Sequence, residues 1–221
     1  MFKKVLIVDD HDVVNEGVLA VLKNKGITNV HKAQYCDEAS IKIKRAEFDK
    51  QPFDLLITDL SFKEDHRESN LLSGEDLVKA IRLDDPKLQI IMYSMEDRLQ
   101  KVRTLINKHH VNAYVCKGRK GALELDNAID HAYNNELFLS PQVENALSSK
   151  TNLEINDYDI ELIRQLSLGL SQGEISMLLK KNKVTPSSLS SVEKQLNKLK
   201  DQFKANNAIH LVAIVKDLGL I

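Results

Sequence analysis

The chain holds 221 residues, 43% of them hydrophobic, with 31 Lys+Arg against 32 Asp+Glu. That length suits one large domain or two small ones, the apolar fraction excludes wholesale disorder, and the near-neutral charge excludes a polycation built to coat nucleic acid. Two distant cysteines, Cys36 and Cys116, exclude a disulfide scaffold and a cysteine zinc site; no run reaches the roughly 18 apolar residues of a membrane span, which points to a cytoplasmic protein that crosses no membrane.

In chain order, Val5–Val8 is a β-branched run that ends in Asp9 and Asp10. Residues 29–34 make a weaker strand candidate. Three further runs follow: Phe53–Asp59, ending in an acid; Gln89–Ser94, ending in a hydroxyl; and Ala113–Lys117, ending in a lysine. Helical patterns lie between them at 12–25, 37–48, 75–84, 97–109 and 120–135. Strands and helices in strict alternation predict a doubly wound, five-stranded parallel sheet, and near-continuous apolar strands fit burial on both faces. Residues 137–153, with Ser140-Pro141 and Ser148-Ser149, read as a linker. Beyond them only helices are predicted, at 157–168, 172–180, 186–203 and 207–217, giving a small all-α domain. Thr185-Pro186 reads as the N-cap and first-turn proline of the third of these helices. Leu189, Val192, Leu196, Leu199 and Phe203 form a helical stripe that should face the domain core.

In an open parallel sheet, ligands bind outside the carboxyl ends of the strands. Asp9, Asp10, Asp59, Ser94 and Lys117 each close an apolar run, so they should meet on one rim. Crowded carboxylates need a counter-charge, and oxygen-only ligands favour a hard divalent cation such as Mg²⁺. A lysine and a hydroxyl opposite them suit phosphoryl oxygens. The set describes phosphoryl transfer to an aspartate.

Val8-Asp9-Asp10-His11, Leu56-Ile57-Thr58-Asp59, Met92-Tyr93-Ser94 and Val115-Cys116-Lys117-Gly118 resemble, in order and spacing, the motifs of the flavodoxin-like receiver domain of two-component response regulators. The resemblance covers residues 1–136. It implies that Asp59 accepts a phosphoryl group from a sensor histidine kinase, and that Asp9, Asp10, Asp59 and the backbone carbonyl of Ser61 hold Mg²⁺. It implies further that Ser94 and Lys117 bind phosphate oxygens, and that Tyr114 is the aromatic switch paired with Ser94. The loop 60–73 departs from the pattern: it lacks the usual proline and is about seven residues longer. Its charged run Lys63–Glu68 reads as a solvated loop, with kinase contact or a lid over the site as the alternative. His11 reads as a loop histidine. A phosphoaspartate phosphatase would carry a second aspartate two residues past the nucleophile, where this chain has Ser61, and no GxxxxGK[ST] loop supports a nucleotide hydrolase.

Residues 154–221 resemble a LuxR-type helix-turn-helix domain, as in response regulators of the NarL/FixJ class. The matching residues are Ile163-Arg164-Gln165-Leu166, Gly169-Leu170-Ser171, Glu174-Ile175, Leu178-Leu179, Leu196 and Asp217-Leu218-Gly219-Leu220-Ile221. The resemblance implies a DNA-binding transcription regulator that forms a homodimer when phosphorylated. Residues 180–204 carry seven lysines and two acids, a local charge of +5 by subtraction, which suits DNA phosphates. The outer face of the third helix offers Ser190, Ser191, Lys194 and Lys198. Two serines stand where the family presents a basic and a β-branched residue, and the helix has no arginine, so base reading should be weak. The alternative is a helical module that binds protein instead of DNA.

Overall fold

A computed structural model describes residues 1–63, 69–147, 155–218 and 220–221. Most of the charged run after Asp59, Ser148-Ser149 of the expected linker, and Gly219 lie outside the described residues. The chain divides into two compact units, the first built from Met1–Asp97 with Lys101–Glu144, the second chiefly from Asn145–Ile221.

The first unit alternates β1 (Val5–Val8), α1 (Asp12–Asn24), β2 (Val30–Ala33), α2 (Cys36–Phe48), β3 (Leu55–Thr58), α3 (Gly74–Asp84), β4 (Gln89–Ser94), α4 (Leu99–His109), β5 (Ala113–Cys116) and α5 (Gly121–Tyr133). A sixth strand, β6 (Phe138–Leu139), follows, then a 3₁₀ helix at Pro141–Leu147. The sheet order is β2-β1-β3-β4-β5-β6 with every pairing parallel. All four residues of β1, β3 and β5 are buried, as continuous apolar strands covered on both faces must be. β2 is an edge strand in which only Ala33 is buried, with His31 exposed and Val30 and Lys32 half-buried. The order reverses between β2-β1 and β1-β3, which opens a crevice at the carboxyl ends of β1 and β3.

Two expectations are corrected here. The sheet has six strands, not five, and the stretch read as a linker, 137–153, begins inside the sheet. Phe138 and Leu139 pair with Ala113 and Tyr114 of β5. A two-residue strand has no period to detect, and its pairing comes from the register of β5.

The second unit consists of α6 (Asp157–Ser167), α7 (Gln172–Lys181), α8 (Leu189–Phe203) and α9 (Ala208–Asp217). Capping boxes start α6, through Asn156 and Asp159, and α7, through Ser171 and Glu174. The core joins Ile160, Leu162 and Ile163 to Ile175 and Leu179, to Val192, Leu196, Leu199 and Phe203, and to Leu211 and Val215. Buried Asp159 accepts from Gln195 Nε2 at 2.6 Å and so ties α8 to α6.

The start of α8 differs from expectation. Ser188 is the N-cap, its hydroxyl accepting from Ser191 N; Thr185 and Pro186 belong to the preceding turn. The Pro186 carbonyl, which a first-turn residue would give to the helix, accepts instead from the Tyr158 hydroxyl at 2.6 Å. Leu189, expected in the core stripe, is 45% exposed at the first position of the helix, ahead of the buried Val192, Leu196, Leu199 and Phe203.

Candidate functional site

Parallel pairing puts the ends of β1, β3, β4 and β5 on one rim. Asp9 and Asp10 leave β1, Asp59 leaves β3, Ser94 ends β4 and Lys117 leaves β5. Asp9 and Asp59 are buried, at 2% and 6% exposure. The Lys117 ammonium reaches both, with Nζ 2.6 Å from Asp9 Oδ2 and 2.6 Å from Asp59 Oδ2. Burial alone would lower the lysine pKa; its hydrogen bonds and charge pairing with Asp59 and Asp9 outweigh that and hold it above the ordinary value. A single cation between two buried carboxylates leaves a net negative charge that one more positive group would offset.

The remaining carboxylate oxygens are oriented by backbone amides. Asp59 Oδ1 accepts from Leu60 N at 2.6 Å and Ser61 N at 3.4 Å, which points Oδ2 at the crevice. Asp9 Oδ1 accepts from His11 N, and the Asp9 carbonyl accepts from the buried Asn15 amide. Asp10 Oδ2 accepts from Lys63 N at 3.2 Å. Asp10 Oδ1 is buried and accepts no hydrogen bond, although His11 Nδ1 lies 2.7 Å away. A carboxylate oxygen without a hydrogen-bond donor beside the Asp9 carboxylate fits a hard cation that takes oxygen ligands. Asp9, Asp10 and His11 are also the one metal-competent cluster among the described residues, and Asp59 is not part of that cluster.

Ser94 is buried, and its hydroxyl accepts from Glu96 N at 3.4 Å. Tyr114, fully buried on β5, donates its hydroxyl to the Glu96 carbonyl at 2.6 Å, and burial pushes its pKa up. The turn after β4 is thus held by the two residues expected to act as a switch pair. Ser61 brings its backbone beside Asp59 and pairs with Ser73 in an antiparallel bridge that closes the base of the long loop.

Gly74 escaped the sequence reading. A Cβ there would lie 1.9 Å from the Asp59 carbonyl oxygen, so only glycine lets α3 begin against the end of β3. Its signal is faint: a glycine directly after Ser73, whose hydroxyl caps α3. Both cysteines are free and buried, and burial raises their pKa, Cys36 to about 12 and Cys116 to about 11, as the reading of small buried hydrophobes requires.

In the second unit, Lys194 and Lys198 are exposed on one face of α8. Ser190 and Ser191 stand at its first turn, but their hydroxyls lie 3.2 and 2.7 Å from the Ser188 hydroxyl that caps the helix. The serines therefore begin with partners of their own, whereas the lysine ammonium groups project from an exposed face.

Residues 5–129 match the family model of the response regulator receiver domain. The nitrate/nitrite response regulator protein homolog of Haemophilus influenzae is 24% identical over 183 residues, covering 80% of this chain and 81% of that protein. The transcriptional regulatory protein ComA of Bacillus subtilis is 22% identical over 233 aligned residues, covering 99% and 100%. Among solved structures, the two-component response regulator RcsB in complex with DNA superposes with a TM-score of 0.63 at 22% identity, covering 98% of each chain. RcsB from Salmonella enterica serovar Typhimurium, bound to promoter rprA with a phosphomimetic, gives 0.61 at 21%. These likenesses establish a shared fold along nearly the whole chain. The family match spans more than half of the sequence and includes every strand-end residue of the site, so the chain belongs to the response regulator receiver family.

Proposed function

We propose that the protein is a phosphorylation-controlled, DNA-binding transcription regulator working in a two-component pathway. The observation that carries the first half is Lys117 Nζ placed 2.6 Å from both Asp9 Oδ2 and Asp59 Oδ2 in a buried crevice. Asp59 is the acceptor. Its carboxylate oxygen attacks the phosphorus of a phosphohistidine on a sensor kinase; a P–O bond forms, the P–N bond breaks, and the electron pair returns to the imidazole. Asp9, Asp10, Asp59 and the Ser61 carbonyl are the residues that would hold Mg²⁺. When bound, the ion supplies positive charge that offsets the carboxylates and the phosphoryl oxygens. Lys117 then has to exchange its contact with Asp59 Oδ2 for a phosphoryl oxygen, and Ser94 offers its hydroxyl to another. Tyr114, already bonded to Glu96, couples that movement to the turn after β4. Nothing in this role requires a dedicated metabolic activity.

The second half rests on α8. We assign residues 154–221 as a LuxR-type helix-turn-helix module that meets DNA through Lys194, Lys198, Ser190 and Ser191, with lysines contributing phosphate contacts and the serines little base discrimination. Phosphorylation pairs two copies and so presents two modules to adjacent half-sites. The proposed location is the cytoplasm; among the described residues no helix is long and apolar enough to cross a membrane. A titration of the full chain against duplex DNA at several salt concentrations, with and without acetyl phosphate and Mg²⁺, tests this reading. Salt-dependent binding that tightens on phosphorylation is expected. No affinity in either state at low salt would turn the assignment to a module that binds protein.

A further inference from the structure

The strand that carries Tyr114 and ends just before Lys117 is held on its outer edge by a residue that composition assigned to a linker. Ser140 is completely buried. Its backbone N–H donates to the Tyr114 carbonyl at 2.9 Å, which continues the parallel ladder begun by Phe138 and Leu139. In such a ladder the next bond would run from Cys116 N to the Ser140 carbonyl. That carbonyl is already taken: it accepts from Val143 N at 2.9 Å as the chain turns into its 3₁₀ helix. The Ser140 hydroxyl stands in for it, accepting from Cys116 N at 2.9 Å. The same hydroxyl donates to the buried Glu124 carboxylate in the first turn of α5. On the opposite edge of β5, Lys117 N donates to the Ser94 carbonyl at 2.7 Å.

The backbone that aims Lys117 is thus fixed from both sides, by β4 through Ser94 and by the outgoing chain through Ser140. An alanine at 140 would leave Cys116 N facing an apolar methyl group, with an orphaned amide at the root of the lysine. It would also leave the Glu124 carboxylate without the donor that meets it here. From this geometry we propose that Ser140, braced by Glu124, is a positioning residue for Lys117, and that the exit of the chain from the sheet consequently responds to the ligand that Lys117 binds. The inference rests on the reading of Asp59 as a phosphoryl acceptor. It adds a route by which occupancy there reaches residues 138–143 through β5, beside the turn held by Tyr114.

Beryllofluoride with Mg²⁺ is the probe, applied to the full chain. Ser140→Ala should weaken beryllofluoride binding by about five- to tenfold, as the loss of one hydrogen bond that orients the lysine would. Mg²⁺ affinity, set by carboxylates that Ser140 does not touch, should stay within about twofold. Glu124→Gln keeps an oxygen that accepts from Ser140 and should behave as the wild type, whereas Glu124→Ala frees the Ser140 hydroxyl from its brace and should weaken binding in the same direction by a smaller factor, about two- to fivefold; this pair reads the same link should Ser140→Ala not fold. Hydrogen exchange supplies a second readout: beryllofluoride should slow the Cys116, Ser140 and Val143 amides in the wild type and do so less in Ser140→Ala. Binding unchanged in Ser140→Ala and Glu124→Ala, or exchange altered around Asp59 while those three amides stay constant, overturns the proposal and leaves the phosphorylation reading intact. A wild-type chain that binds no beryllofluoride overturns both.

Discussion

Replacing Lys117 with methionine keeps most of the unbranched apolar stem, one atom shorter, and removes the charge. The consequence follows from burial: the Lys117 side chain is 10% exposed, those of Asp9 and Asp59 3% and 7%, and Nζ lies 2.6 Å from each carboxylate. Removing one partner of a buried ion pair costs about 3–5 kcal/mol, because the charge left behind has neither water nor a counter-ion. For a protein of this size each kcal/mol moves the melting temperature by about 2–4 °C. The first unit of Lys117→Met should therefore melt roughly 6–20 °C below the wild type in EDTA. Mg²⁺ should then recover part of the gap, since a ligand present at a hundredfold excess over its Kd stabilises by about 2.7 kcal/mol. The recovery should exceed the Mg²⁺ shift of the wild type, in which the ammonium already neutralises the same oxygens. In the wild type the raised lysine pKa gives the matching pH signature: the stability it contributes is fully present below the unfolded-state value of about 10.4 and is lost as pH rises through the higher folded value. Calorimetry of both proteins, with EDTA and with Mg²⁺, reads these differences. Equal melting in EDTA, or a smaller Mg²⁺ shift in the variant, would refute the electrostatic account of the site.

Other outcomes are expected elsewhere in the chain. Glu75, buried at the start of α3, is desolvated in a way that alone would raise its pKa, but Lys101 and Lys79 outweigh this and hold it at about 2. Its stabilisation should persist above the unfolded-state value of about 4.3 and disappear as pH falls towards the folded value; urea midpoints of wild type and Glu75→Gln should converge over that range, and a constant gap would contradict the assignment. Gly74→Ala, which drives a methyl to 1.9 Å from the Asp59 carbonyl oxygen, should cost about 3 kcal/mol, the upper end for overpacking, whereas Gly118→Ala meets open space and should be nearly neutral; equal effects in denaturant titrations would undo the close-approach argument. Lys194→Ala should weaken binding to every duplex tested and flatten the salt slope by about one unit, while Ser190→Ala should change affinity by about 1 kcal/mol or less; a sequence-dependent loss in Ser190→Ala would show that the serine reads bases.

The parts of the fold legible in sequence are those where a local pattern and a tertiary role coincide. Asp9, Asp59, Ser94 and Lys117 are each the polar residue that closes an apolar strand, so locating the strands also located the rim on which these residues meet. Gly74 could not be found that way, because its constraint is a contact with the Asp59 carbonyl, fifteen positions away in the chain. Asn15 was invisible for a similar reason: it lies within an ordinary helix, and its role is a hydrogen bond to the Asp9 carbonyl. β6 has two residues and no periodicity; it is a strand only because β5 offers an edge. Thr185-Pro186 matched the helix-start rule, yet Ser188 three residues on supplied the side-chain acceptor that the first turn needs. Local propensity there yielded to the hydrogen bond between Tyr158 and the Pro186 carbonyl.

Intact mass after incubation with acetyl phosphate and Mg²⁺ tests the assignment of Asp59 as the acceptor most directly. The wild-type chain should gain a single phosphoryl group that is lost at alkaline pH, as an acyl phosphate is, and Asp59→Asn should gain none. A phosphoryl group of the same lability on Asp59→Asn would place the acceptor elsewhere and contradict the reading of the β1–β3–β5 rim as the site of transfer.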